Sequence, residues 1–352
     1  IFGKWHLGQK PGVAPGKQGF DTVFQSKAGW DANEEGNPKG IYSLTKAAGD
    51  FMEKNKDRPF FVYLPHYAIH TAHQARPQTL ERFKAKKPGE QHNDPLYAGC
   101  TYDLDDGVGI LLKRIADLGL EKNTLVIFTS DNGGFQKSSQ EPLRGNKGSY
   151  YEGGVREPFI ARWPGVIQPG TTCDAPIISQ DLYPTFLAVA GASAPDGKVL
   201  DGESLLSLFK GEGPLKRQAI FWQFPGYLDR PVRRGRELDV RTGFRTRPVG
   251  VIRKGDWKLH LYYEEWVLDG GREKLAANHA VELYNLKDDI GERRDLANSN
   301  TVKRDELLDD LLAWQESVDA PIPTRPNPSY APGAGSKGGR RARAEKSKVE
   351  VK

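Results

Sequence analysis

Cysteine is nearly absent: the 352 residues hold two, Cys100 and Cys173. They form no C-x-x-C pair, so cysteine-ligated zinc sites and thioredoxin-type dithiols have no basis here. Cys100 falls inside a helical pattern and reads as a small apolar side chain. No apolar run nears the length of a membrane span, and no basic start leads into a short apolar stretch. The chain begins at Ile1 and not at a methionine. The lack of a leader is therefore expected if the natural N-terminus lies further upstream. A G-x-x-x-x-G-K-S/T phosphate loop is missing as well.

Charge of one sign is also scarce outside one end. The formal net charge is +5. Positions 333–352 carry seven Lys/Arg against two Asp/Glu, which leaves 44 bases and 44 acids in the other 332 residues. A neutral body supplies no electrostatic ground for nucleic-acid binding. The Gly-, Ala- and Lys-rich end is expected to be a disordered, solvated tail.

What is present is an alternation of helical and strand patterns. IYSLTKAAGDFMEKNK (41–56) puts Ile41, Leu44, Ala48, Phe51 and Met52 on one helical face, and PFFVYLP then reads as a buried strand over 60–64. LYAGCTYDLDDGVGILLKRIADLGL forms a long amphipathic helix closing at Gly119, followed by an apolar strand over 125–128. REPFIARWPG predicts a further strand and QDLYPTFLAVAGA a further helix. Helix then apolar strand, repeated, predicts a mostly parallel central sheet with helices on both faces. Beyond about Gly211 the runs AIFWQ, GVIRKG, WKLHLYY and VELYNL follow one another without long helices. They predict a smaller C-terminal α+β domain with an antiparallel sheet, closed by the helix DELLDDLLAWQESV. The expected division is 1–211, 212–320 and a Pro-rich, basic tail over 321–352.

Four clusters carry candidate chemistry. Ligands of open α/β sheets bind at the carboxyl ends of parallel strands, and TLVIFTS delivers Asp131 and Asn132 to such an end. They are two hard oxygen donors suited to Ca²⁺ or Mg²⁺, although two cannot complete a shell of six, and the same pair also reads as a plain turn. FFVYLP delivers His66, His70 and His73, which suit general acid chemistry or hydrogen bonding to an anion. They do not suit zinc, because His66 and His70 would share a face only on a helix. LRGNKGSYYEGG flanks Arg144 and Lys147 with glycines, so the bases can reach an anion. In GKWHLG an extended backbone points Lys4 and His6 to the same side. Together these describe an anionic ester group held by lysines and histidines beside an oxygen-ligated cation, that is, phosphate or sulfate ester chemistry.

GKWHLG, VYLPHYAIHTAHQARP, DLDDGVG, LEKNTLVIFTSDNGG, LRGNKGSYYEGGVREPFIARWPG and DLYPTFLAVAG resemble, in order, the sequence blocks of the type I (formylglycine-dependent) sulfatases of the alkaline phosphatase superfamily. GDWKL and ELYNLKDDIGE resemble that family's C-terminal domain. The resemblance implies an alkaline phosphatase/sulfatase-like α/β fold and a sulfuric ester hydrolase of arylsulfatase type. It implies that Lys4 bridges the formylglycine and a sulfate oxygen. His6 would hold the formylglycine hydroxyl and act as base. His70 and Lys147 would meet the sulfate and the leaving-group oxygen. Asp131 and Asn132 would bind one divalent cation, Ca²⁺ ahead of Mg²⁺. The family's C/S-x-P-S-R signature, whose Cys or Ser becomes formylglycine, occurs nowhere in the 352 residues. The nucleophile is therefore expected in a missing upstream segment, and the chain itself is expected to be an inactive fragment.

The expected substrate is a sulfated carbohydrate or small molecule, met by Trp30, His66, His73, Arg144, Arg233 and Arg234. The last two sit in a stretch that also reads as a long solvated loop. A periplasmic or extracellular location follows from the resemblance, with neither nucleic acid nor a membrane span involved. The alternatives are a phosphoesterase or phosphonate hydrolase of the same superfamily and a truncated chain that only binds anions. A second metal cluster would favour phosphate, and none is visible.

Overall fold

A computed structural model describes residues 1–8, 10–26, 34–135, 137–228 and 245–325. The expected basic tail from 326 onward lies outside the described residues. The chain divides into two compact units, one made of Ile1–Ile127 with Ala161–Thr171, the other of Phe128–Ile160 with Thr172–Lys352.

In the first unit, helix α1 (Ile41–Asn55) forms where the apolar spacing places it, with Ile41, Leu44, Ala48 and Met52 all buried. The Asn37 carboxamide oxygen caps its start, accepting from the backbone N–H of Tyr42 (3.0 Å) and Ser43 (3.1 Å). Helix α2 (Pro77–Lys84) is short, and α3 (Pro95–Asp117) is long. The α3 N-cap is Asp94, whose carboxylate accepts from Tyr97 N–H at 2.8 Å ahead of a proline-led first turn. Helices α1 and α3 cross closely because Gly107 has no side chain; a Cβ there would stand 2.6 Å from Ile41 Cγ2. The fully buried Asp103 of α3 accepts from Arg76 N–H (2.8 Å), Arg76 Nε (2.9 Å) and Thr79 Oγ1 (2.8 Å). It thereby locks the segment after the histidine cluster onto α3.

The opening residues run between two extended segments. Phe2 and Lys4 N–H donate to Tyr63 O (2.9 Å) and Pro65 O (2.8 Å), while on the other side Gly3 N–H donates to Phe24 O (2.8 Å) and Phe24 N–H to Ile1 O (3.0 Å). The Phe2–Phe24 bridge is parallel. Strands β1 (Val126–Thr129) and β2 (Phe159–Arg162) pair with each other, and the division between the units falls inside both. Among the described residues these short pieces do not show the expected mostly parallel central sheet. The run over 60–64 forms no assigned strand, although Tyr63 O accepts from Phe2 N–H. It is also not buried: Phe61 and Tyr63 are exposed, as are Phe128 and Ile160 on β1 and β2. Apolar composition marks a strand meant for cover on both faces, but cover is set by neighbouring elements and not by the run itself.

The second unit matches the antiparallel expectation. A one-turn helix α4 (Glu152–Val155), α5 (Leu182–Val189) and α6 (Leu206–Lys210) precede β3 (Ile220–Phe224), β4 (Val249–Lys254) and β5 (Trp257–Tyr262). Then come α7 (Tyr263–Leu268), α8 (Leu275–Asn278), β6 (Val281–Asn285) and α9 (Thr301–Ser317). The sheet order is β3-β4-β5-β6, every neighbour antiparallel. Alternation along the strands splits their side chains between two faces. Ile252, Leu259, Leu261 and Leu283 pack with Leu307, Leu308 and Leu311 of α9. Lys258, His260, Tyr262, Glu282 and Tyr284 alternate with them and are also buried.

Leu308 is fully buried in that core, whereas Val302 of the same helix is 81% exposed. Leu308→Ala is expected to lower unfolding stability by about 2–5 kcal/mol, and Val302→Ala by under about 0.5 kcal/mol. Equal shifts in denaturant midpoint would contradict this packing.

Candidate functional site

Each unit holds one group of the candidate residues. In the first, Lys4 is placed by the ladder on both sides of Gly3. Gly3 adopts φ +129°, and a Cβ there would lie 2.1 Å from Pro65 O, so only glycine allows the GKWHLG segment to approach the 63–65 segment this closely. Lys4 is half-buried and His6 exposed. Because Lys4 N–H is bonded to Pro65 O, the segment that carries the lysine is tied directly to the residue preceding His66.

The three histidines differ in environment. His66 Nδ1 is enclosed without a hydrogen-bond partner, and burial pushes the imidazole down to about 4, so it is neutral near pH 7. His70 Nδ1 lies 2.7 Å from Thr71 O. A carbonyl only accepts, so Nδ1 carries the proton in this hydrogen bond. The His73 ring meets Tyr97 of α3 edge-on, 5.1 Å between centroids.

In the second unit β1 ends at Thr129, and the following turn presents Asp131, exposed, and Asn132, half-buried. The Asn132 carboxamide nitrogen donates to Gly133 O (3.0 Å), leaving Oδ1 as its donor atom for a cation. Gly133 packs backbone to backbone on the 144–154 loop: its N–H donates to Gly154 O (3.3 Å), and a Cβ would sit 1.9 Å from Gly153 O. The next residue receives Lys147, whose N–H donates to Gly134 O at 3.0 Å. The glycines of DNGG and YEGG are therefore what brings the Asp131–Asn132 turn and the Lys147 loop together.

Arg144 is engaged inward. Its guanidinium lies 3.9 Å over the Tyr151 ring and donates to Tyr284 Oη (2.9 Å) and Glu292 O (3.0 Å). Trp30, Arg233 and Arg234 lie outside the described residues. Trp222 sits within β3, and the Tyr227 hydroxyl donates to the Glu264 carboxylate.

One neighbour of Asp131 was not foreseen. Glu157 has an enclosed Oε1 without a hydrogen-bond partner, and burial, with the Asp131 charge second, raises its pKa to about 7. The only signal for it in the sequence is an acid wedged between Arg156 and Pro158 at the entrance to β2. Among the described residues no three His, Cys, Asp or Glu side chains gather as a metal cluster. Asp131 and Asn132 fit a hard cation in donor type but supply only part of a six- to eight-oxygen shell.

Lysine and histidine candidates thus lie on one unit, and a lysine with an oxygen-donor pair on the other. The sulfatase family model matches residues 1–192, and a second model, N-sulphoglucosamine sulphohydrolase, C-terminal, matches 146–314. The chain belongs to the sulfatase family of the alkaline phosphatase superfamily. It is 35% identical over 320 residues to a sulfatase of Formosa agariphila, covering 82% of this chain and 52% of that protein. It is 34% identical over 275 residues to human arylsulfatase A, covering 74% and 49%. Among solved structures, Ps i-CgsB in complex with k-i-k-neocarrahexaose matches with TM-score 0.69 and 27% identity, covering 98% of this chain and 75% of that one. The chain spans about half the length of the two relatives just named.

The neutral His66 makes a directional stability prediction. Its folded pKa of about 4 lies below the unfolded value of 6.5, so the unfolded chain binds a proton more readily between them. Its contribution is intact above about pH 6.5 and is lost as pH falls through about 4, at most about 3 kcal/mol in all. Denaturant titrations between about pH 7 and pH 4 should show a shallower acid slope for His66→Gln than for the parent. Superimposable slopes would mean that His66 does not titrate in this way.

Proposed function

We propose that the complete protein hydrolyses sulfate esters of a sulfated saccharide. The observation that carries this is the sulfatase match over residues 1–192, the range that contains Lys4, His6, His70, Asp131, Asn132 and Lys147. A sulfated-saccharide substrate is supported by two relatives: one is named N-acetylgalactosamine-6-sulfatase, from mouse, and the other is the structure with a bound neocarrahexaose.

Lys4 and Lys147 supply cationic charge to the sulfate oxygens, where charge accumulates in the transition state. A sulfate monoester bears a single negative charge, so two lysines and one divalent cation suffice where a phosphate monoester would call for more. His70 donates a proton to the leaving oxygen from Nε2. It can do so only as imidazolium, because the Thr71 carbonyl already takes the Nδ1 proton. His6, exposed, accepts a proton as the reaction completes. Asp131 and Asn132 are the donors that would hold Ca²⁺, and the cation when bound supplies Lewis acidity at the sulfate. A formylglycine, the nucleophile of this family, has no precursor motif among these 352 residues. Periplasmic or extracellular placement completes the reading. No helix among the described residues is long and apolar enough to cross a membrane.

The test is sulfate release by the gene's complete, matured product from sulfated oligosaccharides, with an aryl phosphate as control. Lys147→Ala and His70→Ala are each expected to lower kcat/KM by about 100- to 10,000-fold. Residues 1–352 alone are expected to release none. Faster turnover of the phosphate ester, or sulfate release by residues 1–352 alone, would overturn the proposal.

A further inference from the structure

The loop that carries Lys147 is fastened at both ends to the polar face of the antiparallel sheet. At its start Arg144 reaches Tyr284 Oη and the carbonyl of Glu292. At its end Tyr151 Oη donates to Glu282 Oε2 (2.7 Å) and lies 2.8 Å from Tyr262 Oη. Glu152 is then gripped twice: its N–H donates to Glu292 Oε2 (2.6 Å), and its Oε1 accepts from Lys258 Nζ (2.8 Å). Lys258 also pairs with Glu292 Oε1 at 3.1 Å, and His260 Nε2 lies 3.4 Å from that same oxygen. The remaining charges near Glu152 are Arg156 and Arg253, at 3.5 and 3.7 Å from its Oε2. The side chains of Glu152, Lys258, His260 and Glu292 are at most 1% exposed, so none is placed to meet a substrate.

An apolar contact would have served folding as well or better, since burying an ion pair costs more than it returns unless geometry and hydrogen bonding are complete. What the charged version adds is direction. Lys258 has one geometry in which it satisfies both carboxylates, and Glu292 one in which it also accepts the Glu152 N–H. That fixes the register of Tyr151–Gly154, whose Gly154 O accepts from Gly133 N–H beside the Asp131–Asn132 turn. Lys147 lies between the Arg144 and Tyr151 anchors and is bonded through its N–H to Gly134 O.

We propose that Glu292, gripping Glu152 together with Lys258, is a positioning residue for the sulfatase reaction, holding the Lys147 ammonium at the sulfate. The proposal rests on the assignment of Lys147 to the sulfate. Glu292 acts through Lys147 and has no reacting atom of its own to meet.

A double-mutant cycle on the complete, matured enzyme tests it, with sulfate release from a sulfated oligosaccharide and inhibition by inorganic sulfate as readouts. Glu292→Gln keeps the shape and one acceptor for Glu152 N–H but removes the charge. In the parent background it is expected to lower kcat/KM about 10-fold and to weaken inhibition by sulfate. In a Lys147→Ala background the same change is expected to do almost nothing. Equal losses in both backgrounds would overturn the proposal, because a general loss of stability acts whether or not Lys147 is present. If Lys147→Ala leaves turnover intact, the assignment of Lys147 fails first and the proposal falls with it. Should Glu292→Gln not fold, Tyr151→Phe removes only the hydroxyl bonds to Glu282 and Tyr262 and is read in the same two backgrounds, with the same outcomes deciding.

Discussion

Lys258 holds its ammonium between two buried carboxylates, Glu152 and Glu292, and the loop of the second unit depends on that bridge. Three ionisable groups out of water are costly unless each is answered. Glu292 is answered by Lys258, by the Glu152 N–H and by the neighbouring His260, and these hold its carboxyl below the usual carboxylate range despite its burial. His260 is driven the other way, its pKa lowered by burial beyond what the Glu292 contact restores. The outcome is a neutral imidazole beside a charged triad. That arrangement is rigid because any departure leaves a buried charge without a partner.

The first unit applies the same logic on a smaller scale. Asp103 is fully buried and accepts four hydrogen bonds, two of them from Arg76. Arg76 also reaches Asp106 at 3.0 Å and lies over the Tyr42 ring. The DLDDG block of α3 therefore anchors the chain three residues beyond His73. In both units the acids that are most buried have structural work, while the candidate metal ligand Asp131 stands exposed at a strand end. Glycine serves the same purpose where backbones must touch, at Gly3 against Pro65 and at Gly133 against Gly153.

Much of this was legible beforehand, and unevenly. Helices α1 and α3 and the four antiparallel strands were readable because their signals are local: apolar spacing, a capping aspartate, alternation, turn residues. The candidate residues of GKWHLG, the histidine run, DNGG and the RGNKG loop were readable as motifs. Arg144 was readable only as an anion-seeking base in a glycine-rich loop. In the structure its guanidinium is spent on Tyr151, Tyr284 and the Glu292 carbonyl, partners as many as 148 residues away. Glu157 gave almost no signal, since an acid acquires an unusual pKa only from what surrounds it.

The strand WKLHLY states the division most clearly. Alternation by itself sets Leu259 and Leu261 on one face and Lys258 and His260 on the other, because successive side chains of a strand must point apart. It does not say whether water or protein covers the second face. That was decided by a loop 106 residues earlier in the chain, which brings Glu152 onto Lys258. Sequence alone thus determined most of the elements, their faces and the residue types present at the candidate positions. Tertiary structure decided which charges are buried against one another, because burial and pairing depend on segments that local spacing cannot bring together.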